Sequence, residues 1–174
     1  MNKTTIQRAA SLLVTAIALI APSLRAQQAA GLQASFGSDV GTLSDKFTGL
    51  AKVLDGKYDY RPGQGVRSTA EVLNMIVMEN GMLAGTLTGA APGARPAPLT
   101  EAAKMQDALK NSYASLKKAI EGLSDSDLNA SVKLFGRDTT KSGAILMLLG
   151  DQHEHLGQLI GYSRVNGIVP PWSK

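Results

Sequence analysis

Cysteine is absent from the 174-residue chain, histidine occurs twice and tryptophan once. Without a thiol there is no disulfide, no cysteine nucleophile and no soft thiolate ligand, so the fold must hold by packing alone. Aromatic residues make up only 5% of the chain, and none interleaves with a basic run to form a platform for single-stranded nucleic acid. No serine sits in a nucleophile elbow, and no glycine-rich phosphate loop joins a strand to a helix. Acidic residues are missing from the first part of the chain; none precedes Asp39.

That acid-free start has a pattern of its own. Lys3 and Arg8 flank a nearly unbroken apolar run from Ala9 to Ile20, with Ser11 and Thr15 its only polar members. Pro22 breaks the run, and Leu24-Arg25-Ala26 forms a small-residue cleavage site ahead of Gln27. The pattern is that of a cleavable secretory signal peptide, and the run is short for a membrane span. An uncleaved N-terminal anchor is the alternative. The expected organisation is a signal peptide over 1–26 and one domain over 27–174, periplasmic or secreted, with no stable membrane span after processing. Lys3, Arg8 and Arg25 would leave with the signal, so Lys+Arg falls from 18 to 15 against 14 acids. The mature chain is then nearly neutral, and no nucleic-acid partner is expected.

The rest reads as helices. Leu32, Phe36, Val40, Leu43, Phe47, Leu50 and Val53 recur every three or four residues, predicting a helix over about 30–54. Asp55-Gly56 stops it, and Tyr58 to Gly65 is a loop by its Pro and Gly content. Ser68-Thr69-Ala70-Glu71 is a capping box, predicting a second helix over about 69–87 with Val72, Leu73, Ile76, Asn80 and Leu83 inward. Met75 and Glu79 lie on an adjacent part of the same half. Gly89 to Pro98 is a loop. Thr100 caps a third helix to about 122, with Met105, Leu109, Tyr113, Leu116, Ile120 and Leu123 inward. Ser124 to Asp127 predicts a turn or helical start, and Val132 to Phe135 a brief extended segment. Thr139 or Thr140 caps a fourth helix running to about 165, which Gly167 ends. Four amphipathic stripes without a long strand-period run imply an all-α four-helix bundle. The connections 55–67 and 123–139 are longer than a simple up-down bundle needs.

The fourth helix carries the candidate chemistry in Asp151-Gln152-His153-Glu154-His155-Leu156-Gly157-Gln158. Residues four apart share a helix face, so Asp151 and His155 point the same way, alongside Leu148, Leu159 and Tyr162. His153 points roughly 200° away, at about 100° per residue. A carboxylate and an imidazole on an inward stripe need partners. They are metal ligands, an acid–base pair, or a hydrogen-bonded pair in which Asp151 fixes the imidazole tautomer. Glu79 reaches the same pocket or is a plain helix charge. Arg67 and Arg164 hold an anion or cap helix ends. Trp172, after two prolines, packs the tail onto the bundle.

His153-Glu154-His155-Leu156-Gly157-Gln158, then Tyr162, Arg164, Asn166-Gly167 and Val169-Pro170-Pro171, resemble the last helix and tail of the DinB-like (DinB/YfiT) four-helix-bundle proteins. Tyr58 to Pro62, Val66-Arg67-Ser68, Glu71-Val72-Leu73, Glu79-Asn80 and Phe135-Gly136-Arg137 agree with the resemblance, which is closest to the exported branch. The family implies a divalent metal (zinc, nickel or iron) held by three histidines, one on the second helix and two at i and i+4 on the fourth. It includes metal-dependent thiol transferases and probable hydrolases. Carried over to this chain, the three positions are Met75, Asp151 and His155, so only one histidine stays in place. A thioether is a poor zinc or nickel ligand, whereas Asp151 still can ligate and Glu79 could supply a carboxylate lower in the bundle.

The ligand count points to a degenerate metal site, with His155, Asp151 and Glu79 as its remaining candidates and no tightly bound metal. On that expectation the chain is a non-catalytic or weakly metal-binding small-ligand protein. The alternative is a divalent-metal-dependent thiol transferase or hydrolase. No catalytic residue and no organic-cofactor site is readable; a small-molecule ligand and a homodimer are both compatible with the bundle.

Overall fold

The computed structural model describes residues 31–91 and 96–173. The signal-peptide reading of 1–26 lies outside them. Helix α1 covers 31–53; α2 is Thr69–Thr88, α3 Ala102–Glu121, α4 the single turn Asp125–Leu128, and α5 Lys141–Val165. Between α4 and α5 lies a hairpin of β1 (Ser131–Leu134) and β2 (Arg137–Thr140). Among the described residues no helix is long and apolar enough to cross a membrane.

The stripes bury as their spacing dictates. Phe36, Val40, Leu43, Phe47 and Leu50 of α1 are in the core, but Ala51 and Leu54 complete it while Val53 is only half-buried and Leu32 stays exposed. The Phe47 and Tyr113 rings stack across the middle, 6.2 Å between centroids. On α2 the capping box forms: the Ser68 hydroxyl accepts from Glu71 N at 3.2 Å, and Ser68 N donates to Glu71 Oε2 at 2.8 Å. Arg61 adds two bonds to the same carboxylate, at 2.7 and 2.8 Å, tying the loop to the helix start. The third helix departs from expectation. Its N-cap is Glu101, with no side-chain cap bond, and not Thr100. The side chain of Asn74 secures this end instead, bonding both the N–H and the carbonyl of Leu99, each at 2.8 Å.

Asn74 beside Leu99 and Asn80 beside Ser112 show that α2 and α3 run in the same direction. The start of α3 therefore lies at the opposite end of the bundle from the end of α2. Helices α1 and α5 run the other way: Gln33 donates to the Leu123 carbonyl at one end, and the Tyr162 hydroxyl meets the Arg67 carbonyl at the other. The order is up-down-down-up, so the topological crossover is the 89–101 connection and neither of the two singled out from length.

The extended segment has a partner strand. Ser131 pairs with Thr140 and Leu134 with Arg137, antiparallel, closed by Phe135-Gly136. Both turn residues have positive φ, 49° and 76°, which is the backbone twist a two-residue hairpin turn needs. Each strand is four residues long, and Leu134 is the only fully buried one in β1. Thr140 caps α5 through a 3.1 Å bond from Gly143 N. Beyond Gly167 the tail folds back over α1, where Gly49 makes room: a Cβ there would lie 3.3 Å from Pro171 Cγ. Lys46 Nζ sits 5.5 Å from the Trp172 ring centre, a cation–π distance.

Candidate functional site

Helices α2 and α5 pack antiparallel, and polar side chains meet on their shared face. Asn80 and Gln152 lie at its centre, both fully buried. Gln152 Nε2 donates to Asn80 Oδ1 at 2.7 Å, the Tyr113 hydroxyl donates to Gln152 Oε1 at 2.9 Å, and Asn80 Nδ2 donates to Ser112 Oγ at 3.1 Å. Ser112 passes its own proton to the Leu109 carbonyl at 2.9 Å. Each amide in this chain therefore has both a donor and an acceptor partner. Burial pushes the Tyr113 phenol well above its ordinary range.

One residue along each helix the pattern changes. Glu79 is 5% exposed, yet its Oε2 has no hydrogen-bond partner. Its pKa is pushed up to about 7, first by burial and then by the charge of Asp151, with Arg67 acting in the opposite sense. Asp151 sits half-exposed at the rim of α5 and His155 is largely covered; His155 Nε2 is 3.5 Å from Asp151 Oδ2. That is long for a hydrogen bond. The expectation that Asp151 fixes the imidazole tautomer is therefore corrected: His155 Nδ1 bonds Gln158 Oε1 at 2.9 Å. Gln158 Nε2 in turn donates to the Tyr162 hydroxyl at 2.7 Å, whose proton goes to the Arg67 carbonyl at 2.9 Å.

This relay assigns the protons. A carbonyl only accepts, so Tyr162 donates to Arg67 O and its oxygen receives the Gln158 amide. Gln158 Oε1 is then the acceptor, and Nδ1 of His155 is the nitrogen that carries hydrogen. In the neutral imidazole Nε2 keeps its lone pair, facing Asp151. With Glu79 ionised, Nε2, the Asp151 carboxylate and Glu79 Oε2 are all electron-pair donors, and among the described residues no N–H or O–H hydrogen-bonds to them.

The structure thus brings Asp151 and His155 together and places Glu79 on the facing helix within electrostatic reach of Asp151. Met75 is half-buried one turn before Glu79. His153 points to the opposite side, as its spacing demands: Nε2 lies 3.0 Å from each carboxylate oxygen of Asp39 on α1. Arg67 and Arg164 are exposed, and Tyr60 packs edge-on against Tyr162 at 5.6 Å. Gln158 and Gln152 received no role from the sequence. Gln158 is three residues past His155, a spacing that puts the two on one face. Gln152 could have been found by its place on the inward stripe with Leu148, Leu149 and Leu156.

The profile of the DinB superfamily matches residues 42–159. The chain belongs to that superfamily. It is similar in fold to a DinB-like protein from Bacillus subtilis, with a TM-score of 0.67 and 19% identity over 80% of this chain and 97% of that one. A DinB-like protein from Bacillus cereus ATCC 10987 is similar too, with a TM-score of 0.64 and 21% identity over 78% and 93% of the two chains. No curated protein matches the sequence.

A three-histidine metal does not fit these side chains. Two of its positions hold a thioether and a carboxylate, and among the described residues no three His, Asp or Glu side chains group closely enough to hold a metal ion. A separate groove of about 620 Å³ lies toward the C-terminal ends of α2 and α3, between Gly81, Gly85, Ser115, Ala119 and Lys141. None of the candidate ligands lines it.

Proposed function

We propose that this chain is an exported small-ligand-binding member of the DinB superfamily, with a degenerate metal site that performs no catalytic step. The observation that carries the reading is the pairing of a buried, unpartnered carboxylate oxygen on Glu79 with the open Asp151–His155 edge. Buried polar groups are normally satisfied by the fold, and a group left open beside two more electron-pair donors is a place for something from outside. The missing imidazoles at Met75 and Asp151 remove the grip a tight divalent site needs. The basic and apolar N-terminal run supports export to the periplasm or beyond.

A second reading, a divalent-metal-dependent thiol transferase or hydrolase, draws on one distance. Two ligands of a tetrahedral metal with bonds of about 2.1 Å stand about 3.4 Å apart, and His155 Nε2 stands 3.5 Å from Asp151 Oδ2. Zinc, nickel or iron at such an edge would have His155 and Asp151 as its two protein ligands, and Glu79 would join them only by moving closer. Titration of the purified protein with these ions, followed by calorimetry, separates the readings. Weak or absent uptake agrees with the binding protein. Stoichiometric uptake lost in His155→Ala would support the metal-dependent enzyme reading. Met75→His combined with Asp151→His should raise zinc affinity by about a hundredfold or more, as two charged or soft-to-imidazole replacements complete the site. Unchanged affinity would show that the three positions do not share a cavity.

A further inference from the structure

Resting on the binding reading above, we propose that the site receives a primary ammonium group in place of a metal, with Gln158 and Tyr162 as the residues that position His155 for it. The relay from the Arg67 carbonyl through Tyr162 and Gln158 uses three bonds of 2.9, 2.7 and 2.9 Å and leaves Nδ1 of His155 as a donor. Nε2 is thereby held as an acceptor toward Asp151, 3.5 Å away. On the facing helix, within electrostatic reach of Asp151, is the unpartnered Oε2 of Glu79, in a residue more than nine-tenths buried. With Glu79 ionised, these three groups offer acceptors and no donor.

A protonated primary amine is the complement: three N–H donors on one positive centre. Its hydrogen bonds reach about 2.8–3.0 Å, whereas metal bonds of about 2.0–2.2 Å require the ligands to close around one point. Among the described residues no three His, Asp or Glu side chains group closely enough for a metal ion, and the longer hydrogen bonds of an ammonium group do not require that closeness. Met75, which removes a metal ligand, lies beside the site as an apolar surface for an alkyl chain. The Tyr60–Tyr162 pair supplies an aromatic wall next to the relay.

The test uses the mature protein with ethylammonium chloride as probe, and tetramethylammonium and zinc as comparators. Nitrogen-15 spectra of the free protein should show His155 with hydrogen on Nδ1. Ethylammonium should shift the His155 and Asp151 signals and bind about tenfold or more tighter than tetramethylammonium, which has the charge but no N–H. Glu79→Gln should weaken ethylammonium about tenfold. Gln158→Met should move the His155 hydrogen to Nε2 and weaken the probe similarly, with helical content unchanged. Equal binding of the two organic cations, or a wild-type His155 with hydrogen on Nε2, overturns the inference. If ethylammonium fails while zinc binds weakly and depends on His155, the ammonium inference falls and the binding reading stands. If neither probe perturbs the site, both fall.

Discussion

Asn80 and Gln152 differ from Glu79 and Asp151 by a single step along the same two helices, and the two pairs live under opposite rules. The first pair is sealed in the core and joined to Ser112 and Tyr113, so its amides meet partners on both sides. In the second pair Glu79 is buried with an unpartnered oxygen, while Asp151 stands at the rim, apart from His155. A satisfied buried network specifies which helices pack and in what register. An unsatisfied one costs stability and is retained where a ligand supplies the missing contacts. The difference separates what builds this bundle from what the bundle exposes for use.

The largest effect should come from breaking the sealed pair. Gln152→Met keeps the side-chain volume but strands the Asn80 oxygen and the Tyr113 hydroxyl. Two unpaired buried groups should cost about 3 kcal/mol, read as a lower midpoint in urea with the slope unchanged. The rim site should keep its affinity for ligands, because none of its three acceptors is touched. A loss of stability under 1 kcal/mol, about the value of a single exchanged hydrogen bond, would mean that water replaces the network and that it does not govern the register.

Glu79→Gln should act in the opposite direction and depend on pH. The Glu79 carboxyl has a folded pKa of about 7 against an ordinary 4.5. Between those values the folded chain keeps a proton that the unfolded chain has released. Wild-type stability from this group is therefore complete below pH 4.5, declines as pH rises, and is lost above about pH 7. The variant carries no such charge. It should match wild type near pH 4 and exceed it by on the order of 2 kcal/mol at pH 8. Thermal unfolding at both pH values checks this, and a variant less stable at pH 8 would show that the carboxylate has a cation partner already. The groups that set the shift, Asp151 on α5 and Arg67 before α2, should be varied with it.

Much of the frame could be read from local chemistry. Ser68 with Glu71, Thr140 and Gly167 are end signals whose bonds span three to five residues, so the helix limits followed from them. The direction of α3 could not be read, because it depends on Asn74 gripping Leu99 across 25 positions. A stripe reveals which face is inward and nothing about which way the rod points. The hairpin escaped for a different reason: four-residue strands with one buried side chain in β1 hold too few alternations to register as a period of two. In the site, the common face of Asp151 and His155 was legible from spacing. The order of hydrogen bonds was not, since Gln158 competes with Asp151 for the imidazole and only coordinates show which wins.

The smallest effect should come from His153, and it bears directly on the comparison. Its ring has the same chemistry as that of His155, two residues away, and it touches a carboxylate more closely, at 3.0 Å. Yet the pair with Asp39 is substantially exposed, with side chains 47% and 34% accessible. Water competes for both partners there, so His153→Gln or Asp39→Asn should change stability by less than about 0.5 kcal/mol. Neither should alter ligand binding at the α2–α5 site, because the Asp39–His153 contact lies on the α1 side of α5. The equivalent change at His155 should abolish binding. If the two histidines proved equally necessary, burial and open valence would not be what distinguishes the working face of α5, and the register that sets Asp151 and His155 together would no longer explain the site.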